Sequence, residues 1–192
     1  MIEKSRADKM VQHVMLTNHL QLTLRPASPK DAEQVLAYLE QVAGESENLT
    51  FGPGELGISL EQERVFLQQA LATPTSLYLL AEIEGEIVGT LTFNADKRPR
   101  VQHSGVFGMS VLRKYWNLGI GGRMLSYLIE WARQTHVIRK INLRVRVDNL
   151  SAIHLYEKYG FVREGRLTRE FYLHGQFVDV FLMGLQLDSH QT

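Results

Sequence analysis

Residues 106–125 read VFGMSVLRKYWNLGIGGRML. A short apolar run meets a polar break and then Gly119-Ile120-Gly121-Gly122. Apolar residues Ile120, Met124, Leu125, Leu128, Trp131 and Ala132 follow at helical intervals. The pattern predicts a strand, a glycine turn and a helix. A turn of this kind leaves several backbone N–H groups unpaired at the helix start. With the helix dipole behind them, those groups suit an anion, usually a phosphate. Glycines let the backbone approach such a ligand with no Cβ in the way. The plainer reading is that Gly119, Gly121 and Gly122 only shape a tight connection. Three glycines in four positions argue against shape alone, because each weakens a helix start.

The elements on either side follow from period and punctuation. Leu20, Leu22 and Leu24 alternate with polar residues and predict a strand that Pro26 ends. Ser28-Pro29 opens a helix that carries Ala32, Val35, Leu36 and Leu39 and stops near Gly44. Residues 45–57 read as a loop. Ser59 and Gln62 form a capping-box pattern for a second helix. Leu77–Ile83 and Glu86–Asn94 are strands around a Glu84-Gly85 turn. Gln102–Leu112 leads into the glycine turn, and the helix runs from Ile120 to Gln134. Ile141, Leu143, Val145 and Val147 alternate with Asn142, Arg144 and Arg146 in a further strand. A helix from Asn149 to Tyr159 ends at Gly160. Phe161–Phe171 and Gln176–Leu187 are two last strands. The order βααβββαβαββ predicts an α+β, or mixed α/β, fold.

The chain of 192 residues fits one domain. Residues 20–188 are expected to form it, after an N-terminal extension at 1–19 read as a short helix or a frayed segment. Lys plus Arg equals Asp plus Glu, which argues against bulk binding to nucleic acid or an anionic membrane. No apolar run is long enough to span a bilayer. The first residues lack the apolar core of a signal peptide, so the expected location is the cytoplasm. The sequence has no cysteine, which excludes disulfides, thiolate metal sites and a cysteine nucleophile. Its seven histidines show no metal-ligand spacing, so no metal is expected.

The turn is not a Walker A loop, because no Gly-Lys-Ser/Thr follows it. It is not a dinucleotide fingerprint either, because no acidic residue ends the next strand at the ribose position. A second segment, VRVDNLSAIHLYEKYGFVREG, lies one helix and one strand later. Together with WNLGIGGRML it resembles the GCN5-related N-acetyltransferase superfamily. That family has a turn of form Arg/Gln-x-x-Gly-x-Gly/Ala for the pyrophosphate of acetyl-CoA. It also has an N-x-x-A-x-x-x-Y-x-x-x-G-F segment, met here by Asn149, Ala152, Tyr156, Gly160 and Phe161. The resemblance implies an acyl-CoA N-acyltransferase fold, with a mostly antiparallel splayed sheet flanked by helices. It implies acetyl transfer from acetyl-CoA directly to an amine: a small amine, an amino-acid derivative or a protein N-terminus. The sequence departs from the family at Trp116, where Arg or Gln is usual.

The resemblance also implies roles for residues. The backbone of Met109, Ser110 and Val111 would pair with the pantetheine arm, as an added strand does. Trp116, Asn117, Leu118, Gly119, Ile120, Gly121, Gly122 and Arg123 would surround the pyrophosphate, with Arg123 or Arg113 supplying charge. Asn149 and Ala152 would touch the cofactor, although Asn149 also suits a helix cap. Tyr156 would protonate the leaving thiolate, although it also suits a half-buried helix face. An alkyl amine has a pKa near ~10 and must lose a proton before attack. Candidate bases are Glu55 in the first interhelical loop, Glu82 on a central strand and His103 before the glycine-turn strand. Rival readings are a catalytically inactive acyl-CoA-binding sensor and a nucleotide-phosphate binder. Phe171, Tyr172, Phe177, Val180 and Phe181 on the last strands fit either a homodimer face or ordinary core.

Overall fold

The computed structural model describes residues 10–187. Its strands are β1 (Gln12–Met15), β2 (Gln21–Pro26), β3 (Ser76–Ile83), β4 (Glu86–Ala95), β5 (Ser104–Val111), β6 (Lys140–Arg146), β7 (Val162–Leu173) and β8 (Gln176–Gln186). Its helices are α1 (Ala32–Glu45), α2 (Leu60–Ala72), α3 (Ile120–Gln134) and α4 (Leu150–Lys158). The strands form one sheet in the order β1-β2-β3-β4-β5-β6-β8-β7. Every pairing is antiparallel except β5 with β6.

Helices α3 and α4 cover one face of the sheet. Met124, Leu125, Leu128, Ile153 and Tyr156 pack there on Leu91, Phe93, Phe107, Ile141 and Leu143. Helices α1 and α2 cover the other face over β2 to β4, where Val35, Tyr38, Val42 and Leu67 meet Tyr78, Leu80 and Leu112. Local signals set the ends. Ser59 accepts from the Gln62 N–H and Gln62 accepts from the Ser59 N–H, completing the capping box of α2. Glu84 and Gly85 both take positive φ, as a two-residue hairpin of this twist requires.

One expectation is corrected. Residues 12–15 are neither helix nor frayed extension but a strand, paired with β2 from Gln12↔Leu24 to Met15↔Gln21. The expected boundary at residue 20 falls inside that hairpin. The strand is short and lies at the sheet edge. Only partial burial marks its inward positions, so its sequence shows no clear apolar alternation. Residues 1–9 of the expected extension and Asp188 lie outside the described residues. Among the described residues, no helix is long and apolar enough to cross a membrane.

Candidate active site

Strands β5 and β6 pair in parallel only from Ser104↔Lys140 to Val106↔Asn142. Beyond that point β5 stays paired to β4 as far as Val111, and β6 stays paired to β8 as far as Arg146. The sheet therefore forks between them. Alternation shows which backbone groups the fork leaves free. The Leu112 N–H bonds the Val88 carbonyl, so the facing pairs Ser110↔Thr90 and Gly108↔Thr92 also spend their backbone groups on β4. Phe107, Met109 and Val111 then direct theirs into the gap. Of the three residues expected to pair with the pantetheine arm, Met109 and Val111 have the required direction. Ser110 does not: its backbone is committed to β4.

The glycine turn closes the wide end of the fork. Arg113–Tyr115 is a single 3-10 turn held by three contacts: the Arg113 N–H to Glu45 Oε2, Lys114 Nζ to Glu86 and Tyr115 Oη to Glu86. Gly119 sits at the N-cap of α3 with φ 79°. No side chain caps the helix, and the first turn-closing bond runs from Arg123 N–H to Gly119 O. The N–H groups of Leu118 to Gly122 thus have no protein acceptor among the described residues, and they fit a diphosphate by backbone donation. The glycines serve different ends. Gly119 is needed for its positive φ. A Cβ on Gly122 would stand 3.0 Å from Tyr159 Oη, which donates to the Gly122 carbonyl, so this glycine lets α4 approach α3. A Cβ on Gly121 would meet Leu155 and Met109 at ordinary contact distance. Packing shape therefore accounts for part of the cluster.

Trp116 has a role that the sequence pattern did not show. Its Nε1–H donates to the Val111 carbonyl at 2.6 Å, and the Arg113 guanidinium lies 5.6 Å over its ring. The indole ties the turn to the end of β5 and takes one of the carbonyls in the fork. Arg113 is committed to the Glu45 carbonyl and to this ring. Arg123 is exposed and has no ion pair among the described residues, so it is the cation left beside the turn.

Tyr156 reaches the fork from α4. Its ring packs edge-on to Phe107 at 5.7 Å and lies 6.0 Å from Phe161. The residue is 7% exposed, and its hydroxyl makes no hydrogen bond to a described residue. Burial pushes its pKa up to about 12, so it stays a proton donor through the neutral range. Asn149 is the N-cap of α4: its Oδ1 accepts from the Ala152 N–H at 3.2 Å. That bond occupies both groups, so the cap is the role the geometry shows for Asn149, and the Ala152 N–H is not free for a ligand.

The three candidate bases have different surroundings. Glu82 is bound to Arg25 through both oxygens, at 2.9 and 2.5 Å, and Arg25 also grips Asp31. The Asp31 and Glu82 bonds raise the Arg25 pKa further. Glu82 is therefore held as a counter-ion of Arg25. Glu55 accepts from the Gly52 N–H at 2.7 Å and closes its own loop in an exposed position. His103 is exposed and precedes β5, at the end where β5 and β6 are still paired; its carbonyl accepts from the Arg139 and Lys140 N–H groups. His103 lies seven positions before Ser110 on an extended chain.

The face of the fork opposite α3 and α4 carries residues that the motif reading passed over. Ser110 Oγ and Tyr38 Oη are 2.8 Å apart. Asn142 Nδ2 donates to Ser104 Oγ and the Gly105 carbonyl at the closed end. Gly108 is exposed there, and a Cβ on it would meet nothing closer than Thr92 Oγ1 at 3.9 Å. Continuing the parallel register sets Arg144 across the gap from Gly108 and Arg146 across from Ser110. Arg146 makes three hydrogen bonds, to both oxygens of Asp148 and to the Glu47 carbonyl. Arg144 makes one bond, to Glu170 at 3.1 Å, and its other N–H groups have no partner among the described residues. Over this face His174, in the β7–β8 turn, contacts Glu47 at 2.8 Å. The expected aromatic face divides here. Val180 is buried, whereas Tyr172 and Phe177 are exposed, with their rings tilted against each other at 4.8 Å.

The model of the Acetyltransferase (GNAT) family matches residues 39–161. An L-amino acid N-acetyltransferase, AaaT, of Escherichia coli is 36% identical over 117 residues, 60% of this chain and 72% of that protein. An N-alpha-acetyltransferase of Sulfurisphaera tokodaii is 31% identical over 130 residues, 64% of this chain and 76% of that protein. The crystal structure of an acetyltransferase of the GNAT family from Streptococcus pneumoniae superposes with a TM-score of 0.84 at 35% identity, covering 87% of this chain and 99% of that one.

Proposed function

The chain belongs to the GNAT acetyltransferase family, and from that premise we propose that its acceptor is a small amine bearing a carboxylate, an α-amino acid or close derivative. The enzyme is an acetyl-CoA-dependent N-acetyltransferase. Acetyl-CoA supplies the activated thioester carbonyl. The protein supplies grip, direction and protons. The N–H groups of Leu118 to Gly122 hold the diphosphate, and Arg123 adds charge beside it. The free backbone of Met109 and the Val111 N–H pair with the pantetheine arm as a partial extra strand. Tyr156 holds a proton at Oη for the leaving sulfur. Attack is by the amine itself, since no cysteine exists to carry the acyl group.

The observation that carries the acceptor class is Arg144. It stands two positions beyond the last β5–β6 pair, on the face away from α3 and α4, with N–H groups to spare. Guanidinium binds carboxylate in two parallel bonds. The amino-acid specificity in the name of the Escherichia coli relative agrees with this choice. The test is a panel of free L-amino acids beside their amides, with thioester consumption as the readout. Free acids are expected to have the higher kcat/KM, and Arg144→Ala should erase the preference. Equal rates for acids and amides in the wild type would overturn the acceptor assignment.

A further inference from the structure

We infer that Ser110 Oγ is the group that orients the attacking amine, and that Tyr38 is the positioning residue that fixes it. The inference rests on the N-acetyltransferase reading above. Two observations separate Ser110 from its neighbours on β5. Its backbone is spent on Thr90, so only the side chain remains for function. That side chain alternates with Phe107, Met109 and Val111, so it stands on the acceptor face and not among the groups directed toward α3 and α4.

Tyr38 explains why the oxygen is held there. The residue is 3% exposed, packed with Val35, Val42, Leu67 and Leu112. Its hydroxyl ends at Ser110 Oγ, 2.8 Å away, and also meets Thr90 (5% exposed), which faces Ser110 from the adjacent strand. A phenol buried among apolar groups costs free energy unless it is bonded. Phenylalanine would fill the same space without that requirement. The hydroxyl has a partner, and the partner lies at the fork. A serine hydroxyl has one donor and two acceptor sites. Tyr38 engages one of them and selects one rotamer. An acceptor site remains for an N–H of a neutral amine, which turns the nitrogen lone pair toward the β5–β6 gap. No proton moves in this step. The other serine on this face of β5, Ser104, is bound by Asn142 where the strands are still paired. The carboxylates and imidazole considered above stand elsewhere.

The experiment uses the full chain with a free amino acid that the wild type acetylates, and compares Tyr38→Phe, Ser110→Ala and the double variant. Steady-state kinetics give kcat and both KM values. Melting curves are run with and without acetyl-CoA, which should raise the melting temperature by mass action. Ser110→Ala is expected to lower kcat/KM for the amine by about tenfold and Tyr38→Phe by about threefold, the range of one hydrogen bond. The double variant should match Ser110→Ala within about twofold, because Tyr38 acts through the serine. The acetyl-CoA-induced shift in melting temperature should be the same in all four proteins. Losses that multiply in the double variant, unchanged kinetics in Ser110→Ala, or an acetyl-CoA shift that shrinks in step with kcat would each overturn the inference. Failure of the wild type to acetylate any amine would overturn the transferase reading and this inference with it. Normal wild-type turnover beside unaffected variants would overturn the inference alone.

Discussion

Tyr156→Phe removes a single oxygen from the fork and should separate chemistry from folding. The ring stays wedged between Phe107 and Phe161, so the packing surface is retained. The hydroxyl has no described protein partner, so no hydrogen bond is lost with it. Stability should change by no more than about 1 kcal/mol, because the ring packing is kept and no protein hydrogen bond is lost. The loss in kcat should be about 100- to 10,000-fold, the usual contribution of a positioned acid, or roughly 3–5 kcal/mol of barrier. The pH profile supplies an independent check. A phenol raised to about 12 remains protonated throughout an assay range of 6–10, so Tyr156 should contribute no alkaline limb there. The sign for stability is equally fixed. The protonated form is favoured in the folded state, so the contribution is complete below pH 10 and is lost as pH rises toward 12. Tyr156→Phe should therefore lose less stability than the wild type above pH 10. Stopped assays of product, with acetyl-CoA affinity measured separately, decide the matter. A variant with wild-type kcat would remove Tyr156 from the mechanism. A variant that binds acetyl-CoA more weakly in proportion to its kcat would make it a packing residue.

The remaining predictions concern the frame and the acceptor slot. Glu63 on α2 is 3% exposed, its Oε1 has no partner among the described residues, and burial raises its pKa. Its folded form holds the proton more tightly, so stability is lost as pH rises above the ordinary carboxylate range. Glu63→Gln should raise stability by about 1–3 kcal/mol at pH 8 and little at pH 4, as read from denaturant midpoints; an equal effect at both pH values would refute this. Glu82→Gln should cost about 1–3 kcal/mol by loosening Arg25, while kcat of the folded enzyme stays unchanged. A large fall in kcat would restore Glu82 as a base. Gly108→Val places its side chain in open space on the acceptor face. It should raise KM for the amine at least about tenfold, a loss of roughly 1.4 kcal/mol, with KM for acetyl-CoA unchanged. Equal effects on both substrates would show that the slot is elsewhere.

How much could be read from the sequence depended on whether a feature was local. The glycine turn, the capping box of α2, the Glu84-Gly85 hairpin and the alternation in β6 each depend on residues a few positions apart, and all appear where their patterns place them. β1 escaped because an edge strand buries little, and its pattern of His13 and exposed Met15 carries no strong period. The surroundings of the candidate bases were hidden for a different reason. Glu82 lies on a central strand, as a base might, but its fate is set by Arg25, 57 positions away in sequence. The Tyr38–Ser110 contact spans 72 positions. Hydrophobic period places such residues on a face and says nothing about which partner arrives there. The parallel register past Val106, which brings Arg144 opposite Gly108, likewise depends on a crossover through α3 and could not be counted from spacing.

Trp116 shows what that limit means for reading a motif by its letters. As a substitution for Arg or Gln it looks like the loss of a polar contact to phosphate. In the folded chain its indole N–H bonds the Val111 carbonyl, joining the glycine turn to the end of β5, one of the two strands that border the fork. The N–H groups proposed to hold the anion run from Leu118 to Gly122, and their direction depends on backbone course, not on residue 116. A tryptophan that fixes that course can therefore stand where a charged side chain is usual, and Arg123 remains exposed beside the turn to supply charge. The indole bond also takes the last outward carbonyl of β5. The backbone offered to the pantetheine arm is then reduced to Met109 and the Val111 N–H, with Ser110 standing one residue away on the other face. In the proposed scheme the cofactor edge and the acceptor oxygen come from consecutive residues of one strand, and alternation along β5 would bring the two substrates to the fork from opposite faces of the sheet.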